Sequence, residues 1–248
     1  MLNGRFLTAE EQVWMKDGRF FSARDVSDGN VCMYAVSDGM GGHKAGETAS
    51  RICVQMLSEI HGLLQQCTSV QQAASCVQNE IARINRVICE LGRDHEQYRG
   101  MGATLVLLLM CGGEAAVLNI GDSRAFYYDG NTLIQITKDH TEGQRMLDLG
   151  LLTRKELKDF PARKHLNRYF GYDAQGFVLQ ADEYYPGIKD GIFILCSDGI
   201  TDYVPERQFL EILSAQEDPE EAGTLLTAAA VSADHADNAT IIMIKPGG

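Results

Sequence analysis

The sequence predicts an α+β protein in which antiparallel sheets form layers and helices pack outside them. Two observations predict this. Short apolar runs are joined by tight Gly- and Asp-rich turns, which implies antiparallel pairing. Amphipathic helix pairs fall between and after these runs rather than alternating with single strands, as a doubly wound parallel sheet would require.

The elements follow in order. Residues 12–37 hold three extended segments, QVWMK, RFFSA and VCMYAVS, with Asp17-Gly18 as a hairpin signal between the first two. Residues 47–64 turn helical, with Ala49, Ile52, Cys53, Met56, Leu57 and Ile60 at i, i+3, i+4 spacing. A second amphipathic helix fits 70–92, and the two form an antiparallel pair. Strands return at 103–111, 115–120, 124–129 and 132–137, with Gly112-Gly113 and Asp129-Gly130-Asn131 as turns. Residues 138–176 are polar and irregular, a surface excursion containing one capping box, Thr153-x-x-Glu156. A buried strand at 191–196, helices at 205–214 and 218–232, and a strand at 239–245 complete the chain. There is no internal repeat and no low-complexity tract.

The bulk properties narrow the function. The chain has 248 residues, 45% of them hydrophobic, and only five prolines, so 1–248 reads as one domain. A formal net charge of −12 argues against nucleic acid or an anionic membrane as partner. The seven cysteines form no C-x-x-C pair, which suggests a reducing compartment. The N-terminal MLNGRFLTAEEQ is too polar for a signal peptide, and the longest apolar stretch, ATLVLLLMC, falls far short of a membrane span. The expected location is the cytoplasm.

Four aspartates share one local setting. Asp38 follows VCMYAVS, Asp122 follows AAVLNIG, Asp198 follows GIFILCS, and Asp237 precedes Asn238 and ATIIMIK. Taken singly, Asp-Gly and Gly-Asp are turn dipeptides. Four such acids at the ends of apolar strands point instead to one spot on a sheet edge, and that spot repels anions unless cations sit in it. Hard divalent cations such as Mg²⁺ and Mn²⁺ suit oxygen ligands. Gly39 lacks a Cβ, so its carbonyl can approach a metal, and Gly41-Gly42 let backbone approach a ligand. Zinc-ligand spacing and a P-loop are both absent.

These motifs resemble those of the metal-dependent Ser/Thr protein phosphatases of type 2C, in their compact bacterial form. The resemblance covers nearly the whole chain. Its pieces are SDGMGGHKAGETAS (37–50), MGATL (101–105), NIGDSRAF (119–126), TKDHT (137–141), LNRYFG (166–171), FILCSDGITD (193–202) and DNATIIMI (237–244). It implies a central antiparallel β-sandwich flanked by helix pairs, in α-β-β-α layers, with two Mn²⁺ or Mg²⁺ ions at one end. Asp38 would bridge the metals and Gly39 would give a carbonyl oxygen. Asp198 and Asp237 would hold one metal, and Glu10 or Glu11 the other. Asp122 would help Asp198 hold a third. Residues 141–165 would form a flap beside the site.

The implied activity is hydrolysis of phosphoserine and phosphothreonine in proteins by a metal-activated water. Neither Ser37 nor Ser197 need be a nucleophile; both are read as bonding local backbone. Phosphorylated proteins and a Ser/Thr kinase are the implied partners, and a monomer the implied state. Two departures stand out. The family's N-terminal acidic motif is altered in GRFLTAEEQVW, and Arg5 lies one residue further from the first acid than a phosphate-binding arginine should. Either the chain bulges there or Arg5 is not the phosphate ligand. Met40 follows Asp-Gly where many eukaryotic members carry a histidine; His43 is then a candidate proton donor, or a hydrogen-bonding loop residue. His140 is read as tying the flap to the body and Arg124 as a salt-bridge residue. Two other functions remain open: a phosphatase-fold regulatory module without turnover, and a phosphatase for small phosphorylated molecules.

Overall fold

The computed structural model describes residues 31–41, 43–173, 176–187, 190–233 and 237–246. The predicted segments QVWMK and RFFSA, with Arg5, Glu10, Glu11 and Asp17-Gly18, lie outside the described residues. The first half runs β1 (Cys32–Val36), β2 (Gly39–Met40), α1 (His43–Glu59), α2 (His61–Leu64), α3 (Val70–Asp94), β3 (Gly102–Ala103), β4 (Leu105–Cys111), β5 (Glu114–Ile120), β6 (Arg124–Tyr128) and β7 (Leu133–Gln135). The second half runs α4 (Glu142–Asp148), α5 (Arg154–Leu157), β8 (Asp182–Tyr184), β9 (Ile192–Cys196), α6 (Asp198–Thr201), α7 (Glu206–Ala215), α8 (Pro219–Val231) and β10 (Ile241–Ile244).

Two antiparallel sheets dominate, in the orders β1-β4-β5-β8 and β10-β9-β6-β7. Their side chains sort into three apolar layers. Val36, Val106, Leu108, Val117, Ala125, Phe193 and Leu195 fill the space between the sheets. Leu105, Leu107, Leu109, Leu118 and Ile120 point the other way, against α1 and α3. On the second sheet, Phe126, Ile194 and Cys196 pack on Phe209, Leu213 and Leu226 of α7 and α8. Strand pleating divides consecutive residues between two apolar layers, so every residue of β4 is buried. At about 1.5–3 kcal/mol for each large side chain fully buried, these layers dominate the stability of the fold. The predicted layers of helix, sheet, sheet and helix are present.

Local chemistry accounts for the element ends. Gly112 and Gly113 both take positive φ (56° and 79°), as the tight β4–β5 hairpin demands. Asp129 Oδ1 accepts from the N–H groups of Asn131 and Thr132, closing the β6–β7 turn. Ser69 caps α3 by accepting from Gln72 N–H, and Thr153 forms the predicted capping box with Glu156. The helix predicted at 47–64 is interrupted at Ile60 (φ −83°, ψ 2°), just before Gly62, so α1 and α2 are separate. Helix α4 was not predicted. It is short, and Thr141 caps it by accepting from Gln144 N–H.

Candidate active site

Two Ser-Asp corners face each other, one from each sheet. The first leaves β1. Ser37 Oγ donates to Thr104 O at 2.7 Å, Thr104 N–H to Asp38 O at 2.8 Å, and Asp38 N–H to Thr104 Oγ1 at 3.0 Å. Ser123 Oγ stands 2.7 Å from the same Thr104 hydroxyl. The second corner leaves β9. Ser197 N–H donates to Thr240 O at 3.0 Å, and Thr240 N–H donates to Ser197 Oγ at 3.1 Å. In each corner a threonine from the neighbouring chain segment clamps the turn that presents an aspartate. The serines bond to distant backbone and not, as predicted, to local backbone.

The motif glycines have a packing reason. A Cβ on Gly39 would lie 2.1 Å from Gly46 O in the first turns of α1. Gly41 has φ +104°, and a Cβ there would lie 2.5 Å from Gly100 O. A Cβ on Gly199 would lie 2.2 Å from Asn238 O, so this glycine lets the Asp237-Asn238 segment close on Asp198. Gly39, Gly41 and Gly199 are therefore needed by the backbone before any ligand is considered, while Gly42 lies outside the described residues.

The carboxylates converge electrostatically. Burial pushes Asp38 up to about 7, helped by the charges of Asp198, Asp237 and Asp122 and by a hydrogen bond with Asp198. Burial likewise raises Asp122 to about 7, with Asp198, Asp139 and Asp202 adding to it. Asp198 is raised by burial first, then by Asp202 and Asp237, against a lowering from Lys164. Asp237 is exposed, and its Oδ1 accepts from Asn238 N–H at 2.7 Å. Among the described residues no three His, Cys, Asp or Glu side chains close into a metal cage. What exists is a closely interacting Asp38–Asp198 pair with Asp122 and Asp237 within Coulombic reach. Half-buried, mutually repelling carboxylates of this kind are oxygen donors suited to hard divalent cations. His43 opens α1, but its side chain lies outside the described residues.

A cavity of about 200 Å³ adjoins the pair, lined by Asp122, Asp198, Asp202, Asp139, Arg163 and Lys164 among others. Asp202, Arg163 and Lys164 were not singled out in the sequence. Asp202 sits one helical turn beyond Asp198 and forms an ion pair with Lys164. The i, i+4 spacing within SDGITD was the available signal.

Arg163 and Lys164 belong to the excursion at 141–165, which has a defined neck. Thr141 bridges Leu166, and Glu142 N–H donates to His165 O at 2.8 Å. His140 anchors this neck. Its Nδ1 accepts from Gly121 N–H at 3.0 Å, and its Nε2 lies 3.1 Å from Asp182 Oδ2. Arg124 forms a two-pronged salt bridge with Asp139, at 2.8 and 2.6 Å, as its sequence context suggested.

The model of the family described as protein phosphatase 2C matches residues 19–230. The chain belongs to that family. Its similarity to named phosphatases extends along most of its length. The serine/threonine phosphatase stp of Listeria welshimeri is 29% identical over 230 residues, covering 92% of this chain and 88% of the relative. The crystal structure of serine/threonine phosphatase Stp1 from Staphylococcus aureus matches with a TM-score of 0.78 at 27% identity, covering 100% of both chains. The catalytic domain of PstP, solved in complex with two manganese ions, matches with a TM-score of 0.71 at 25% identity, covering 91% of this phosphatase 2C chain and 94% of the other.

Proposed function

We propose that this chain hydrolyses phosphoserine and phosphothreonine in proteins, in a Mn²⁺- or Mg²⁺-dependent reaction at the Asp38–Asp198 site. The observation that carries the reading is the facing pair of half-buried carboxylates at two clamped strand ends, each raised by burial and by neighbouring acids. Asp38 would serve both cations, with the Gly39 carbonyl beside it. Asp198 and Asp237 would complete one cation site, Glu10 or Glu11 the other, and Asp122 with Asp198 a third. When bound, the cations supply an acidified water and neutralise charge on the phosphoryl oxygens.

The chain's own residues do the rest. Burial and the neighbouring acids favour the protonated forms of Asp38 and Asp198, so cation binding there would be coupled to proton release. The Ser37 and Ser197 hydroxyls are engaged with the backbone of Thr104 and Thr240, which supports direct attack by water over a phosphoseryl intermediate. Arg5 is the candidate grip on phosphate and His43 the candidate proton donor. Residues 141–165 act as a flap, and 1–248 as one phosphatase domain. Phosphorylated targets of a Ser/Thr kinase in the cytoplasm are the proposed substrates, and the chain acts as a monomer. Among the described residues no helix is long and apolar enough to cross a membrane.

The test is turnover of a phosphothreonine peptide with Mn²⁺, with EDTA, and in Asp198→Ala. Activity should require the metal and fall on the order of 100-fold or more in the variant. Turnover that persists in EDTA would overturn the mechanism. No turnover despite bound Mn²⁺ would favour a regulatory module.

A further inference from the structure

Cys67 lies in the connection between α2 and α3, and Cys76 lies in the second turn of α3. Their sulfur atoms are 3.8 Å apart. Cys67 is buried, whereas Cys76 is half-buried and reaches solvent. Burial raises the Cys67 thiol as it does those of Cys53 and Cys196, which are wholly enclosed and pushed up to about 12, so Cys76 is the member of the pair open to reagents. Cys111, at the far end of β4, carries a third, buried thiol near Cys67.

A disulfide needs its sulfurs at about 2.0 Å, so the pair must close by about 1.8 Å, a shift that side-chain rotation can supply. Cys67 precedes the N-cap Ser69 and is outside any helix, so its backbone can follow. The pair also sits away from the aspartates. β4 runs from Leu105, beside the Thr104 clamp, to Cys111, about 20 Å further along at ~3.4 Å per residue.

We propose that Cys67 and Cys76 form a redox modification site, converted by hydrogen peroxide into an intrachain disulfide. The accessible Cys76 thiolate attacks a peroxide oxygen. The O–O bond breaks, and Cys76 becomes a sulfenic acid while hydroxide leaves and takes up a proton as water. The Cys67 sulfur then attacks the Cys76 sulfur. The S–S bond forms, the S–O bond breaks, and a second water leaves with the Cys67 proton. Two thiols are oxidised by two electrons, and one peroxide is reduced to two waters. The cross-link staples the α2–α3 connection onto α3.

The test uses the intact folded chain. Cys53, Cys67 and Cys76 all lie on the single tryptic peptide 52–83. After hydrogen peroxide, denaturation, maleimide labelling and trypsin without reductant, that peptide should be about 2 Da lighter and carry one maleimide instead of three. Dithiothreitol should restore all three. The cross-link should vanish in Cys67→Ser and Cys76→Ser and persist in Cys111→Ser. Three labelled thiols after peroxide, a Cys67–Cys111 link, or Cys76 sulfinic acid beside a free Cys67 would each overturn the proposal.

Discussion

Replacing Thr104 with valine tests whether the clamp holds the Asp38 corner. The substitution keeps the shape and removes one hydroxyl at a position 4% exposed. That hydroxyl accepts from Asp38 N–H at 3.0 Å and pairs with Ser123 Oγ at 2.7 Å. Orphaning the peptide N–H costs about 1–3 kcal/mol, and stranding the wholly buried Ser123 hydroxyl adds about 1 kcal/mol. The sum is about 2–4 kcal/mol. At about 2–4 °C per kcal/mol for a chain of this size, the midpoint Tm should fall by roughly 4–16 °C. Urea unfolding gives the energy directly. Adding Ser123→Ala to Thr104→Val removes the stranded hydroxyl and should recover about 1 kcal/mol. A loss below about 1 kcal/mol, with no recovery in the double variant, would refute the clamp as a stabilising device.

Gly39→Ala should destabilise the chain by about 2–3 kcal/mol in the same unfolding assay, because the new methyl meets Gly46 O at 2.1 Å. A neutral substitution would show that α1 can shift freely against β2. Arg5→Ala should raise KM for a phosphothreonine peptide several-fold while kcat changes less, as loss of uniform phosphate binding requires; an unchanged KM removes Arg5 from the site. His140 should give stability its own pH dependence. Burial, with Arg168 nearby, holds its pKa below the ordinary 6.5, against the pull of Asp182. Nδ1 accepts from Gly121 N–H, so protonation there would set two donors face to face. A depressed pKa means this contribution is complete above pH 6.5 and is lost as pH falls through the folded-state value. Tm should therefore drop between pH 7.5 and 5.5 in the wild type and drop less in His140→Asn.

The strands β1, β4, β5, β6, β7, β9 and β10, the helix pairs and the four aspartates were legible because each is a local pattern, whereas the two- and three-residue strands β2, β3 and β8 are too short to show a period. LVLLLMC announces a buried strand, but no local signal says which residues face helices and which face the second sheet. Helix α4 has too few apolar positions for a period to emerge, although Thr141-x-x-Gln144 marked its start. The motif glycines were legible as special but not as backbone contacts, because Gly39 meets Gly46 and Gly199 meets Asn238 only after folding. The same holds for Asp202 with Lys164 and for Cys67 with Cys76, pairs that side-chain packing creates.

The two Ser-Asp corners belong to different sheets, and the residues separating those sheets include Val36, Val106, Ala125 and Leu195. The gap between Asp38 and Asp198 is therefore set by the thickness of an oily layer as well as by the loops that carry them. A methyl group added to or removed from that layer should reach the carboxylates as a change in spacing, since close-packed interiors transmit strain. In this chain the volume of the inter-sheet core acts as a tuning screw on the acidic site, and substitutions that never touch substrate can turn it.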